Sequence, residues 1–501
     1  MTQINYFKII FISLIFIFFA FNSFSFSELI INDSSSRAQD LEVRGIADSL
    51  EPDYTPFTIT EGEIVDGVRK ISDIKYINDS EESKRLDLFL PEKMNLSQKY
   101  PLIIYIHGGA WLEGNKEYFK DYELVKNDFI VASVDYRLST EDLFPAQIHD
   151  IKAAIRWLKG NAKKYNIDSE NIGAYGESAG GHLASLLGTT STDDKLNGNV
   201  GLYLDQSTEV KAVVSEYGLY DLSSIADDCE NNQLCNAKYR STDSIVSRLL
   251  GCKYDECGED LNSASPINYL SSNKASFLLL HGKKDEIVPY QQVENFSNRL
   301  LSKSIFVETI VSEEGKHIDS KDRIANFPEI INFFNTKLKN SKYYFCDFDT
   351  DYKETYSDIT RSDGTFSAIN KLECKNAFYG ITNDNFEPDK KINRAEVARI
   401  IFNVFDQKVN TSCNNFSDVD NLNRNYIYIQ SLKCSKLING YEENEFKPDK
   451  TILQSELIAI ISKIKDISQE DMISKIEQKN LDIENIELTR RATAFIISKS
   501  L

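Results

Sequence analysis

The chain has 501 residues, and its 77 acidic against 57 basic side chains give a formal net charge of −20. A hydrophobic fraction of 41% is enough to build packed cores, so the composition excludes a disordered protein. At about 150 residues per domain, the length predicts several domains. The acidic balance leaves no basic surface for nucleic acid, so we expect neutral partners, or anions met by a few placed cations.

The first segment is typical of a secretory signal peptide. Lys8 precedes an apolar run from Ile9 to Phe21, and Ser25 and Ser27 supply the small residues of a cleavage site. We therefore predict that residues 1–27 are a signal peptide and that the protein is secreted. The alternative is an uncleaved membrane anchor, although a bilayer span needs about 20 apolar residues.

After a lead segment, residues 28–70, the chain alternates strand-like and helical patterns. Ile148, Ile151, Ile155 and Leu158 recur at helical spacing and predict an amphipathic crossover helix. Apolar and β-branched runs typical of strands buried on both faces read PLIIYIH, DFIVASVDY, NIGAYG, VKAVVSEYG and SFLLLHG. The alternation predicts a doubly wound, mostly parallel α/β sheet, with reactive groups at the carboxyl ends of its strands.

The candidate nucleophile is Ser178, in Gly176-Glu177-Ser178-Ala179-Gly180. The pattern alone is common, and a plain glycine-rich turn would also produce it. Here it follows the strand-like NIGAY and precedes the helical GHLASLLG, which is the context of a nucleophile elbow. Glycines on both sides allow the strained turn that exposes the serine hydroxyl.

A second glycine turn, at His107-Gly108-Gly109-Ala110, follows the strand-like PLIIYI. Acyl transfer places negative charge on a carbonyl oxygen, and backbone N–H groups in a tight turn can stabilise it. We predict an oxyanion hole made by the N–H groups of Gly109, Ala110 and Ala179. The alternative is a structural turn at the end of a strand.

The general base can be sought among the histidines, of which the chain has five. His107 belongs to the glycine turn, His149 and His182 lie in predicted helices, and His281 ends a strand. His317 remains, on a loop after the strand-like SIFVETIV. It is therefore the predicted base.

The predicted acid is Asp285, just past the strand-like SFLLLHG, with neighbouring Glu286 as the alternative. Its role would be to fix the tautomer of His317 and stabilise the imidazolium. The order Ser178, Asp285, His317 is the one expected of an α/β-hydrolase.

A polar stretch from Leu222 to Pro266 interrupts the alternation. Because an exported chain favours disulfides, its four cysteines, Cys229, Cys235, Cys252 and Cys257, predict an excursion stapled within itself. It either covers the site as a roof or forms a surface loop with no contact to substrate.

These motifs together resemble the acetyl esterase/lipase group of α/β-hydrolases, akin to hormone-sensitive-lipase-like and feruloyl-esterase-like enzymes. The matching stretches are HGGAW, DYRL, GESAGGHLA, ASPINYL, HGKKDEIVP and GKHI. Ala110 replaces the third glycine of the usual turn and keeps its N–H. The resemblance, assigned to residues 71–340, implies hydrolysis of short acyl esters through an acyl-serine intermediate, with no cofactor or metal. Trp111 either lines the substrate pocket or belongs to the core.

The last third of the chain contains an internal repeat with a spacing of 60 residues. GITNDNFEPDKKINRAEVARIIFNVF recurs as GYEENEFKPDKTILQSELIAIISKI, and YSDI upstream of the first recurs as FSDV. Each unit is predicted to run from a Ser-Asp helix start, through a helix and a Phe-x-Pro loop, to a second helix. We assign residues 341–409 and 410–465 to two copies and 466–501 to a degenerate third, all helical and packed together.

The repeats resemble S-layer homology domains, whose second helix carries a Thr-Arg-Ala-Glu motif. Asn393-Arg394-Ala395-Glu396 matches it, whereas the other two copies match only in part. The resemblance implies binding to cell-wall polysaccharide, with Arg394 as the predicted contact because a guanidinium pairs with carboxylates. The alternative is a structural stalk.

The cysteines of this region follow the repeat as well. The period favours the pairs Cys346–Cys374 and Cys413–Cys434, although sequence alone leaves their connectivity open.

These observations predict an exported serine carboxylesterase held at the cell surface by its repeats. Wall association favours an acylated polysaccharide as substrate. Two alternatives stay open: a peptidase of the prolyl-oligopeptidase type, and a non-catalytic surface protein that uses the hydrolase fold as a scaffold.

Overall fold

The computed structural model describes residues 62–77, 84–191, 193–270, 275–318, 320–339, 356–360, 362–373, 375–378, 385–476 and 486–501. All of them belong to one unit, Pro56–Leu501. The predicted signal peptide and the predicted Cys346–Cys374 disulfide lie outside these ranges.

A twisted sheet organises the N-terminal part of the described chain. Its strands are β1 Glu63–Val65, β2 Val68–Lys75, β3 Arg85–Pro91, β4 Tyr100–Ile106, β5 Ile130–Val134, β6 Ile167–Glu177, β7 Ala212–Glu216, β8 Ser276–Gly282 and β9 Val307–Ser312. They lie in the order β1-β2-β3-β5-β4-β6-β7-β8-β9. Six adjacent strands run parallel to one another: β5, β4, β6, β7, β8 and β9. The predicted fold class is therefore confirmed.

The antiparallel edge formed by β1, β2 and β3 was not predicted. β2 carries the sequence VRKISDIK and is only partly buried, so it lacks the continuous apolar run that marks the central strands. The predicted boundary between lead segment and hydrolase domain falls inside this strand.

Helices cover the sheet. They are α1 Tyr122–Lys126, α2 Ala146–Gly160, α3 Ala162–Tyr165, α4 Ala179–Thr189, α5 Asp194–Asn197, α6 Ile225–Asn231, α7 Ile245–Leu250, α8 Glu259–Ser263, α9 Gln291–Ser302 and α10 Ser320–Leu338. The predicted crossover helix is α2, and its four apolar residues are fully buried. In the described ranges, no helix combines the length and the apolar character needed to cross a membrane.

The excursion between β7 and β8 is stapled within itself, as predicted. Disulfides join Cys229 to Cys235 and Cys252 to Cys257. Arg240 forms ion pairs with three carboxylates of the excursion, those of Asp227, Glu230 and Asp255. The excursion is therefore a small cross-linked layer.

The C-terminal module is helical. Its helices are α11 Phe366–Glu373, α12 Arg394–Val404, α13 Tyr426–Cys434, α14 Gln454–Lys465, α15 Gln469–Ile476 and α16 Arg490–Ser500. The second helix of each copy packs against the first helix of another copy: α12 on α13, α14 on α15, and α16 on α11. The three copies thus close into a ring, which we call the repeat ring.

Backbone hydrogen bonds at the centre of the ring repeat the same cycle. The N–H of Ile392 donates to the carbonyl of Leu488 at 3.1 Å, that of Ile452 to Ile392 at 3.1 Å, and that of Leu488 to Ile452 at 3.0 Å. Each copy contributes one strand-like segment. The degenerate third copy is therefore needed to complete the cycle.

The Ser-Asp motif does not start a helix, contrary to our expectation. α13 begins eight residues after Asp418, whose carboxylate instead accepts the N–H groups of Phe446 at 2.7 Å and Lys447 at 2.6 Å. Asp358 binds the corresponding loop of the first copy in the same way. The aspartate thus holds the Phe-x-Pro loop, a contact too distant in sequence for local capping rules to reveal.

The predicted Cys413–Cys434 disulfide is present, with the Cα atoms 5.4 Å apart. It ties the segment before the Ser-Asp motif of the second copy to α13. Closing a loop of this length is expected to stabilise the fold by about 3 kcal/mol.

Candidate active site

The candidate nucleophile lies in a sharp turn between β6 and α4. Ser178 has a φ of 53° and a ψ of −118°, a strained conformation for a residue with a side chain. A Cβ on Gly180 would lie 2.0 Å from the carbonyl oxygen of Ile106, and one on Gly176 would lie 2.3 Å from that of Gly180. Both glycines are therefore required by close backbone approach, as the elbow motif predicts.

The structure brings the three predicted catalytic side chains together. Nε2 of His317 lies 3.0 Å from Oγ of Ser178, and Nδ1 lies 2.8 Å from Oδ2 of Asp285. Each residue stands just past the carboxyl end of a parallel strand, β6, β8 or β9. This geometry allows the imidazole to accept the serine proton while the carboxylate orients the ring.

Asp285 is fully buried yet suited to carry a negative charge. Its Oδ1 accepts the N–H groups of Ile287 and Val288, both at 2.8 Å. Burial opposes the charge, but the hydrogen bond from His317 and the nearby His281 outweigh it, so the pKa of Asp285 is lowered.

The competing acid, Glu286, turns away from the site. Its carboxylate pairs with Lys316 at 3.3 Å, and its side chain is 49% exposed. Only Asp285 of the two is therefore placed to orient His317.

The other histidines are held in structural positions. Each places a ring nitrogen within 3.0 Å of a backbone carbonyl: His107 on Gly108, His149 on Lys195, His182 on Ala264 and His281 on Val288. Burial lowers the pKa of His107 and of His182 to about 4, so both rings stay neutral near pH 7. Of the five, His317 is the one that contacts Ser178.

The glycine turn packs directly against the elbow. A Cβ on Gly108 would lie 3.6 Å from Cβ of Ser178. Within the described chain, no protein acceptor takes a hydrogen bond from the N–H groups of Gly109, Ala110 or Ala179. These three donors are available for a developing oxyanion. Ala110 adopts a φ of 54°, where alanine costs about 1 kcal/mol more than glycine.

Trp111 belongs to the core. Its side chain has no exposed surface, and its ring lies edge-on to that of His182 at 5.1 Å. Of the two interpretations offered by the sequence, burial favours the core, because a pocket wall must expose atoms to the ligand.

Tyr217 was missed by the sequence analysis. Its ring lies 5.8 Å from that of His317 and 6.0 Å from that of His281, and its φ is 52°. A bulky residue in this conformation is unusual and marks a functional or strained position. Its position directly after β7, at the edge of the sheet where the candidate catalytic residues lie, is the sequence feature that could have identified it.

The excursion reaches the loop that carries the acid. The N–H of Asn236 donates to the carbonyl of Glu286 at 2.8 Å, and the hydroxyl of Tyr239 donates to that of Ile287 at 2.9 Å. Beside the triad, Ile287 and Ile318 are exposed by 43% and 44%. The excursion is thus attached to the rim of the site, and part of that rim is apolar.

Arg394 is not available as the wall-binding cation that we expected. It is 6% exposed, and its guanidinium binds the carbonyls of Phe446 at 2.8 Å and Asn439 at 3.1 Å and the carboxylate of Glu456 at 2.7 Å. The second copy supplies all three acceptors. Arg490, at the equivalent position of the third copy, is likewise buried against the first copy.

Fold and site together define an α/β-hydrolase with a serine, histidine and aspartate aligned at the carboxyl edge of its sheet. The BD-FAE family model matches residues 86–300, and the S-layer homology domain matches residues 355–398 and 415–458. The chain therefore contains a BD-FAE domain, of α/β-hydrolase fold, followed by S-layer homology repeats.

Curated relatives include two proteins of Mycobacterium tuberculosis (strain ATCC 25618 / H37Rv). Esterase LipC is 32% identical, over 40% of this chain and 48% of that protein. Probable carboxylic ester hydrolase LipM is 30% identical, over 44% of this chain and 49% of that protein. The chain thus spans about half the length of these relatives.

Among solved structures, a truncated form of a carbohydrate esterase from gut microbiota aligns at 30% sequence identity. The alignment covers 55% of this chain and 99% of that one, with a TM-score of 0.49.

Proposed function

We propose that the protein is a serine carboxylesterase that hydrolyses short acyl esters through an acyl-serine intermediate. The observation that carries the proposal is the continuous contact from Ser178 through His317 to Asp285, at 3.0 and 2.8 Å. The names of its relatives LipC and LipM, an esterase and a probable carboxylic ester hydrolase, support the same reaction class.

The reaction proceeds in two halves. His317 accepts the proton of Ser178 as Oγ bonds to the ester carbonyl carbon, and the N–H groups of Gly109, Ala110 and Ala179 bind the oxyanion. The C–O bond to the alcohol then breaks, and His317 donates its proton to the leaving oxygen. In the second half His317 deprotonates a water molecule, which attacks the carbonyl carbon of the acyl-serine. The bond from that carbon to Oγ of Ser178 then breaks, His317 returns the proton to Oγ, and the carboxylic acid is released.

We also propose that the enzyme is exported and held at the cell surface, where acylated polysaccharide is its substrate. The S-layer homology repeats and the signal-like N-terminal sequence support this location. Because Arg394 and Arg490 are used inside the ring, wall polymer must be bound by other groups on its surface. The aligned triad argues against the alternative of a non-catalytic scaffold.

Replacement of the nucleophile tests the reaction. Ser178→Ala removes the attacking oxygen, so hydrolysis of p-nitrophenyl acetate should fall by about 10⁴-fold or more. A fluorophosphonate probe should label the wild type but not this variant, because only an activated serine reacts. Ser223→Ala, at an exposed serine of the excursion, is the matched control and should keep both properties. Labelling or full activity in Ser178→Ala would reject the proposal.

A substrate panel then separates ester from amide chemistry and identifies the acyl group. Acetylated sugars, feruloyl esters and simple acyl esters are compared with peptide amides at equal concentration. Preference for amides would instead favour the prolyl-oligopeptidase type of activity.

A further inference from the structure

The last strand of the sheet borders the repeat ring. β9 pairs only with β8 among the described strands, so its outer edge needs protection from other chains. Helix α13 of the ring packs along β9. Phe306 and Glu308 of this edge are nevertheless only 8% and 2% exposed. The ring therefore covers the edge of the hydrolase sheet.

A buried polar cluster lies at the centre of this contact. Glu308 of the hydrolase accepts a hydrogen bond from the hydroxyl of Tyr428 on α13, and its Oε2 lies 3.8 Å from the guanidinium of Arg399 on α12. The side chains of Glu308 and Arg399 are each 1% exposed. A buried carboxylate requires such partners, since an unpaired buried charge is strongly destabilising.

Aromatic rings surround the cluster. The ring of Phe306 lies 5.8 Å from that of Tyr428 and 6.3 Å from that of Phe402. Nζ of Lys337, on α10, lies 3.2 Å from the centroid of Phe306. Hydrolase and ring thus share one packed core at this point, rather than a solvated polar interface.

Further polar contacts join the two modules at the rim. Arg424 of the ring pairs with Glu329 of α10 at 2.6 Å, and the hydroxyl of Thr411 donates to the carbonyl of Leu301 at 2.7 Å. The ring therefore touches α9, β9 and α10. The loop of His317 runs between β9 and α10, so the ring holds the elements on both sides of that histidine.

We infer that the hydrolase domain and the repeat ring form one cooperative folding unit, coupled through Glu308, Arg399 and Tyr428. The edge of β9 is the docking surface, and the ring of the same chain is its partner. The ring thus stabilises the catalytic domain in addition to any anchoring. If the proposed wall attachment holds, the docking also fixes the direction in which the active site faces relative to the wall.

Thermal unfolding of full-length variants tests this coupling. The two tryptophans, Trp111 and Trp157, both lie in the hydrolase domain, so their fluorescence reports that domain alone. Arg399→Gln, a substitution in the ring, should lower the midpoint of the tryptophan transition by about 5 °C or more. Far-UV circular dichroism of the wild type should show one transition at the same temperature as fluorescence.

Two further variants complete the design. Arg491→Gln is the control, because its ion pairs with Asp363 and Asp389 are partly exposed and contribute little to stability; it should leave the tryptophan midpoint within about 1 °C. Tyr428→Phe keeps the ring shape and removes only the hydroxyl bound to Glu308, so it decides the question if Arg399→Gln fails to fold. A tryptophan midpoint unchanged in Tyr428→Phe and in any folded Arg399→Gln, or two separate wild-type transitions, would overturn the inference.

Discussion

The proposed nucleophile depends on backbone contacts that admit no side chain. Ser178 is held in a strained conformation, and its N–H donates to the carbonyl of Glu216 at 2.7 Å. The carboxylate of Glu177 beside it accepts the hydroxyl of Tyr105 at 2.9 Å. These contacts fix the elbow before substrate arrives, which is the preorganisation that acyl transfer requires.

Gly180→Ala should therefore disable the site. The added methyl would lie 2.0 Å from the carbonyl oxygen of Ile106, forcing α4 away from β4. We expect kcat/KM for p-nitrophenyl acetate to fall at least about 10²-fold, because a shift of about 1 Å in a catalytic group has this effect. Gly364→Ala, where no heavy atom lies within 4 Å of the new methyl, is the control and should retain activity. Wild-type kinetics in Gly180→Ala would contradict this account of the elbow.

The crossover helix α2 combines an apolar face with buried cations that secure the chain after α4. Nζ of Lys152 donates to the carbonyl of Thr190 at 2.6 Å and to Oδ1 of Asn197 at 2.9 Å, and Arg156 donates to the carbonyl of Val200 at 2.8 Å. Burial lowers the pKa of Lys152 from its ordinary 10.5 to about 7. Helix α2 thus fastens the C-terminal end of α4, the helix that begins directly after Ser178. Burial in the folded chain disfavours the charge on Lys152.

This shift predicts a pH-dependent stability. Between pH 7 and 10.5 the unfolded chain binds the lysine proton and the folded chain does not, so the free energy of unfolding rises with pH. The contribution is about 1 kcal/mol per pH unit. Lys152→Met should remove it, so urea unfolding should find this variant less sensitive than the wild type to a change from pH 7 to pH 9. Lys303→Met, at an exposed lysine, is the control and should keep the wild-type slope. An unaltered slope in Lys152→Met would refute the assignment.

At the scale of the whole molecule, ring closure and docking decide what the repeats can present to a partner. The arginine of the best-preserved motif, Arg394, faces inward, and so does Arg490. The surface available to a wall polymer is therefore the outside of a closed ring that is itself fixed to the catalytic domain.

Wall retention can be measured with the full-length protein. If the repeats bind wall polysaccharide, esterase activity should sediment with purified cell walls, and Ser178→Ala protein should sediment to the same extent without activity. Walls from which anionic polymers have been extracted should retain much less. Activity that stays in the supernatant with intact walls would leave the repeats as a structural support of the hydrolase.

The fold class, the elbow, the triad and the repeats were accessible from the sequence. Central parallel strands are buried on both faces, so they appear as unbroken apolar runs, whereas the half-exposed β2 does not. Ser178, Asp285 and His317 could be placed because the strands order them at one edge of the sheet, although they lie far apart in the chain.

What the sequence determined by itself was local: which segments form strands, which glycines bend the chain, and which side chains can perform acyl transfer. Tertiary structure decided how these groups are used. The same guanidinium binds a polymer or a neighbouring repeat, and only the acceptors around Arg394 settle the choice. The sequence likewise did not predict that the ring packs on β9. Burial and charge pairing between distant segments leave no periodic pattern in the sequence of either segment.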